Sequence, residues 1–152
     1  MIEFENVVEI DRPVDFVFSF LVDLENLPKW NYFVTNVRKI SPGPPVVGAR
    51  YHQARKSDSQ ELSIVEMETD RLLTLETVPP SKPELKRWMA FEDNNGKTRL
   101  IDRWRLESDQ PTLLQHLARG KVKSAVKENL LKLKELLEQG HVVLQDGRQV
   151  RI

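Results

Sequence analysis

The chain contains no cysteine, which excludes disulfides, thiolate zinc sites, iron–sulfur clusters and a thiol nucleophile. Net charge is also missing, since 23 Lys and Arg balance 23 Asp and Glu. A zero balance gives no overall attraction to a phosphate backbone, so nucleic acid is not an expected partner. No apolar run approaches the roughly 20 residues of a membrane-spanning helix, and no integral membrane association is expected. The opening residues MIEFENVVEIDRP lack the basic-then-apolar layout of a secretory signal, so the expected location is cytoplasmic. The three histidines, His52, His116 and His141, are isolated, and no His/carboxylate cluster stands at ligand spacing; no metal is expected. GxSxG, GxGxxG, phosphate-loop and HExxH patterns are absent as well, which removes motif support for nucleophilic, dinucleotide, nucleoside-triphosphate and zinc-hydrolase chemistry and leaves no cofactor expected.

What remains is one domain's worth of chain: 152 residues, 39% hydrophobic and 30% charged, enough to build a core beneath a well-solvated surface. Residues 2–10 alternate, with Ile2, Phe4, Asn6, Val8 and Ile10 on one side, which predicts a strand with one buried face. Asp11-Arg12-Pro13 then starts a short, very apolar helix, and a second short helix fits Leu24–Trp30. Strand patterns follow at Val34–Ile40, Val46–Lys56, Gln60–Thr69, Leu72–Val78, Glu84–Asp93 and Lys97–Glu107, joined by turns short enough for antiparallel neighbours.

One register is derivable. Asn95-Gly96 suits the positive φ angles of a two-residue type I′ hairpin loop. Counting outward from it sets Phe91 opposite Leu100, Met89 opposite Asp102 and Arg87 opposite Trp104, with all six on one face. Lys86, Arg99, Arg103 and Arg105 occupy the other, solvated face.

After Pro111 the period becomes 3.6. Leu114, Leu117, Val122, Ala125, Val126, Asn129, Leu130, Leu133, Leu136 and Leu137 form one stripe, predicting a long amphipathic helix over Thr112–Glu138 that stops at Gly140. The tail, 141–152, reads as a small hairpin around Asp146-Gly147 and offers a route to a homodimer. Residues 1–140 are read as a single ligand-binding domain.

The opening VVEIDRPVDFVFSFLVDLENLPKWNYFVTNVRKI, the PGPPVVGARYH entry to the next strands, NNGKTRL before a strand and the closing LLKLKELLE together resemble the START/Bet v 1-like superfamily. More narrowly they resemble its branch of polyketide cyclase/dehydrase and lipid-transport-like proteins, over about residues 2–138. The resemblance implies an α+β helix-grip fold: a curved antiparallel sheet of about seven strands wraps the long C-terminal helix, with two short helices after the first strand. It also implies an apolar cavity between sheet and helix for a lipid, polyketide or other hydrophobic small molecule.

Candidate site residues follow from facing. Met89, Phe91, Leu100 and Trp104 are expected to line the cavity, the alternative being that they fill the core. Leu117, Val122 and Ala125 are expected nearest it from the helix. Tyr51 and Gln53 share a phase with Ala49 that the resemblance turns inward, with Arg55 continuing it. Trp30, Tyr32 and Phe33 either gate the mouth or pack as an aromatic corner. Asp102 stands mid-strand among apolar residues, where a carboxylate needs a partner, and Arg87 is its diagonal neighbour. That pair serves a ligand's polar head, or structure alone; Asp102 is otherwise turned out by a bulge, or acts as an acid/base together with Arg87 and Tyr51. Arg119, Lys121, Lys123 and Lys127 form a solvated helix face or dock on anionic lipid. Three functions fit: a carrier of hydrophobic ligands, a cyclase or dehydratase, and a protein-interaction module.

Overall fold

The computed structural model describes residues 1–152. β1 (Ile2–Ile10) buries every second residue along its length. α1 (Val14–Val22) begins after Pro13, whose fixed φ suits helix entry. A 3-10 helix (Leu24–Lys29) follows, its first turn held by the Asp23 carboxylate, which accepts the Glu25 N–H at 3.2 Å. Six more strands complete the sheet: β2 (Val34–Lys39), β3 (Arg50–Arg55), β4 (Ser59–Glu68), β5 (Leu72–Thr77), β6 (Leu85–Asn94) and β7 (Lys97–Leu106). Their order is β1-β7-β6-β5-β4-β3-β2, with every neighbouring pair antiparallel. The long helix α2 (Thr112–Gln139) and a hairpin of β8 (His141–Val143) and β9 (Gln149–Arg151) finish the chain.

The β6–β7 hairpin has the expected register, with Phe91 opposite Leu100, Met89 opposite Asp102 and Arg87 opposite Trp104. Asn95 and Gly96 both have positive φ, 54° and 86°, as a type I′ turn requires. Register shifts between Val34 and Asn36 and between Ile64 and Glu66 are bulges of the kind that bend and twist a sheet. The curved sheet carries α2 on its concave face, and this is the helix-grip architecture.

Two expectations need correction. The strand read from Val46 starts only at Arg50, because Val46 to Ala49 turn back, with the Ala49 N–H donating to the Val46 carbonyl at 2.9 Å. The apolar stripe of α2 is buried only from Val126 onward, through Leu130, Leu133, Leu136 and Leu137. Leu114 and Leu117 are 49% and 64% exposed, so Leu117 does not face the interior. At 1.5 Å per residue the helix runs about 40 Å, longer than the groove beneath it. Its ties to β1 run from Arg119, which donates to the Glu3 carbonyl, to Lys134, which donates to that of Glu9. The tail forms the expected hairpin, but its apolar residues Val142 and Leu144 are buried in this chain's own core.

Candidate functional site

A cavity of about 360 Å³ lies between the middle of α2 and the sheet, within the usual size range of small-molecule sites. Its walls are Leu62, Leu75, Leu85, Trp104 and Leu106 from β4–β7 and Val122, Ala125, Val126 and Asn129 from α2. Leu27, Asn31, Phe33 and Val34 close one side, and Gln53, Arg55 and Gln60 come from the β3–β4 end. Glu76, Pro83, Arg87 and Lys121 complete the lining.

Several sequence-derived candidates lie elsewhere. Met89, Phe91 and Leu100 are 1%, 4% and 0% exposed and belong to the core; none lines the cavity. The reason is α1, whose Phe18 meets Phe91 edge-on at 5.2 Å and plugs that end of the groove. The open end is the opposite one, along β6 and β7 toward Arg87, Trp104 and Leu106. Trp30 is a buried core residue, while Phe33 is 38% exposed and lines the cavity. Tyr32 and Phe33 pack against each other, ring centroids 4.2 Å apart.

The polar centre is Arg87. It forks onto Asp102, with Nε donating to Oδ1 at 2.7 Å and Nη2 to Oδ2 at 2.8 Å. Trp104 Nε1 donates to the same Oδ2 at 3.0 Å. The guanidinium lies 4.7 Å from the Trp104 ring centroid and 5.5 Å from that of Trp30, in cation–π range. Both ions are buried, a state tolerable only because each is paired with the other through two hydrogen bonds. Arg87 lines the cavity and Asp102, behind it, does not. Three donors reach its carboxylate, one on Oδ1 and two on Oδ2. Nη1 of Arg87 has no partner in the protein, yet the fully buried polar atoms without partners are only Tyr51 Oη and Thr74 Oγ1. Nη1 therefore keeps access to the cavity.

Gln53 Nε2 donates to Gln60 Oε1 at 3.1 Å, and Gln60 Nε2 to the Lys82 carbonyl at 2.8 Å. Asn129 Nδ2 donates to Asn31 Oδ1 at 3.2 Å and its Oδ1 accepts Gln145 Nε2 from the terminal hairpin at 3.1 Å. Tyr51 is inward as expected but outside the cavity, fully buried. Burial, then the negative charges of Asp23 and Glu25, push its phenol up to about 12, so at neutral pH it carries its proton.

Sequence reasoning missed Gln60 and Asn31, and placed Asn129 in the helical stripe without a role. Asn129 carried a signal, a lone amide in a row of apolar residues. Gln60 pairs with Gln53 across a turn, Lys56 to Asp58, whose residues do not specify register.

With this geometry in view, the chain belongs to the family described as polyketide cyclase / dehydrase and lipid transport, which it matches over residues 1–138. No curated protein matches it in sequence. Among solved structures it is similar to the di-domain ARO/CYC BexL from the BE-7585A biosynthetic pathway, with a TM-score of 0.72 and 17% identity over 91% of this chain. It spans about half of BexL, 47% of that chain. It is also similar to XoxI from Bacillus cereus, with a TM-score of 0.73 and 12% identity, covering 93% of this chain and 100% of that one. The Aha1 dimer from Colwellia psychrerythraea aligns with a TM-score of 0.65 and 15% identity, over 91% of this chain and 97% of that one. At these identities the likeness is one of fold. Family and fold together support a hydrophobic ligand-binding or cyclase role. No helix is long and apolar enough to cross a membrane.

Proposed function

We propose that the protein carries or sequesters a hydrophobic small molecule bearing one polar acceptor, a carboxylate or carbonyl, held by Nη1 of Arg87. The observation behind this reading is that single uncommitted guanidinium nitrogen in a largely apolar cavity. Burying apolar ligand surface contributes about 25 cal/mol per Å², which supplies affinity without choosing an orientation. A charge-assisted hydrogen bond from a pre-ordered Arg supplies the orientation. The fork to Asp102 and the flanking Trp rings fix the guanidinium beforehand, so little ordering cost falls on binding.

Binding without reaction is favoured over cyclisation by the rest of the lining. Asn31, Gln53, Gln60 and Asn129 are amides, and Glu76, near the end of β5, pairs with Lys86 of β6 at 3.3 Å. No free carboxylate or imidazole stands in the cavity as a proton acceptor. A protein-interaction module would have a solid interior, and here there is a cavity.

The test compares two fluorescent probes, cis-parinaric acid and the hydrocarbon diphenylhexatriene, on the protein and on the double variant R87M/D102L. The acid is expected to bind the native protein and to lose roughly ten-fold or more in the variant, while the hydrocarbon binds both alike. Failure of both probes to bind, or equal affinity of the acid for both proteins, rejects the reading.

A further inference from the structure

The residues that the cavity leaves unexplained are the first turns of α2. Leu113, Leu114 and Leu117 are 73%, 49% and 64% exposed, in a helix whose later leucines are mostly buried. Leu113 and Leu117 stand one turn apart on the side facing away from the sheet. From Gln110 to Lys127 the sequence has no acidic residue and four cations, Arg119, Lys121, Lys123 and Lys127, so the rest of this net-neutral chain is negative. None of the four is in an ion pair. Arg119 is spent on a backbone carbonyl, and Glu5 shares a shallow groove with Lys123 and Lys127 without pairing to either. The first turn has neither an acidic residue nor a side-chain cap, so the positive end of the helix dipole adds to the same field.

From this juxtaposition we infer that the segment Leu113–Lys127 of α2 docks on an anionic lipid surface. Leu113 and Leu117, flanked on the same helix face by the exposed Lys121 and Lys127, are the features of an interfacial helix, which lies in the headgroup layer without spanning the bilayer. Charge complementarity selects the occupant. A second copy on this face would set Lys121 and Lys127 of each chain against their equivalents, and like charges oppose that contact. A bilayer rich in phosphatidylglycerol offers negative headgroups and, just below them, an apolar layer for three leucines. Lys121 and Val122, one turn beyond Leu117, line the cavity, so the docked helix sets the cavity's edge against the membrane.

The experiment is flotation of the full chain with vesicles of phosphatidylcholine alone or with about one-third phosphatidylglycerol. Binding is expected only to the anionic vesicles and is expected to weaken as salt rises. L113N/L117N should reduce it roughly ten-fold, and K121Q/K127Q roughly five-fold for each cation removed. Both pairs are solvent-exposed, and an unchanged melting temperature verifies the fold. Absence of binding, equal binding to neutral vesicles, or no effect of the leucine variant overturns the inference. So does a concentration-dependent dimer that L113N/L117N dissolves, which would assign the face to a second copy. Binding of poly-glutamate as tight as that of vesicles, and equally sensitive to L113N/L117N, would assign it to an acidic protein and also overturns it.

Discussion

Arg87 and Asp102 are each costly alone and tolerable together. Asp102→Ala leaves a guanidinium buried between two indole rings with no counter-charge, and is expected to destabilise the protein by about 3–5 kcal/mol. The double change to apolar residues of similar volume, R87M/D102L, should cost far less. Urea unfolding of the two variants checks this, and equal losses would show that packing around the pair outweighs its charge. Tyr51 presents the opposite case, a buried phenol whose Oη has no partner. Its ring packs in the core while its hydroxyl gains nothing, so Tyr51→Phe should stabilise the protein by about 1 kcal/mol. The phenol is raised from 10.0 to about 12 in the fold. Its contribution is therefore complete below pH 10 and is lost as pH rises toward 12, because the unfolded chain ionises first. Thermal melts across that range should fall for the native protein and fall less steeply for Tyr51→Phe. If Tyr51→Phe is instead destabilising, the hydroxyl has a bound partner.

Among the elements, the terminal hairpin is the one that the family match at residues 1–138 does not reach. It is nonetheless tied in: Val142 and Leu144 are 1% and 3% exposed, Lys56 pairs with Asp146, and Arg148 donates to the Tyr32 carbonyl. Gln145 fixes the amide of Asn129 in the cavity wall. Leu144→Ala is expected to cost about 2–5 kcal/mol as a buried cavity-forming change, measured by chemical denaturation; a loss under ~1 kcal/mol would mean that the hairpin only rests on the surface. The hairpin itself was legible, because Asp146-Gly147 separates two short apolar runs. So was β6–β7, where Asn95-Gly96 fixes the register that brings Arg87 to Asp102. The facing of α2 was legible only in part. Periodicity gives one stripe for the whole helix, but whether sheet lies beneath Leu114 and Leu117 depends on where the strands end, which no local pattern encodes.

For the molecule as a whole, the same limit explains the cavity's position. Alternation in β1 and β6–β7 told which side chains point inward; it did not tell which end of the groove is filled. That is decided by Phe18 of α1 meeting Phe91, a contact between residues more than 70 positions apart, and it moves the open space from Met89 and Leu100 to Arg87 and Trp104. Long-range ties also set the response of the fold to acid. Glu138, near the end of α2, accepts the Asp11 N–H and the Lys134 ammonium, both at 2.7 Å, and so fastens the β1–α1 turn to the helix. Burial alone would raise this carboxyl, but the Asp11 N–H and Lys134 outweigh it and hold it below its ordinary 4.5. Asp146 is lowered by the Arg148 N–H first, then by Lys56 and Arg148; Asp58 is lowered chiefly by its hydrogen bonds from Arg55. A carboxyl lowered in the fold contributes its stability fully above its unfolded value and loses it as pH falls through the folded one. Stability should therefore hold down to about pH 4.5–5 and decline below it, as the unfolded chain takes up protons that the folded chain refuses. Glu138→Gln should lower stability at neutral pH, because a weaker acceptor faces Lys134, and should make the acid decline shallower, because one linked proton is gone. Denaturant melts of both proteins between about pH 3 and 7 separate these effects, and an unchanged acid slope in Glu138→Gln would mean that the fastening at the β1–α1 turn does not carry the acid response.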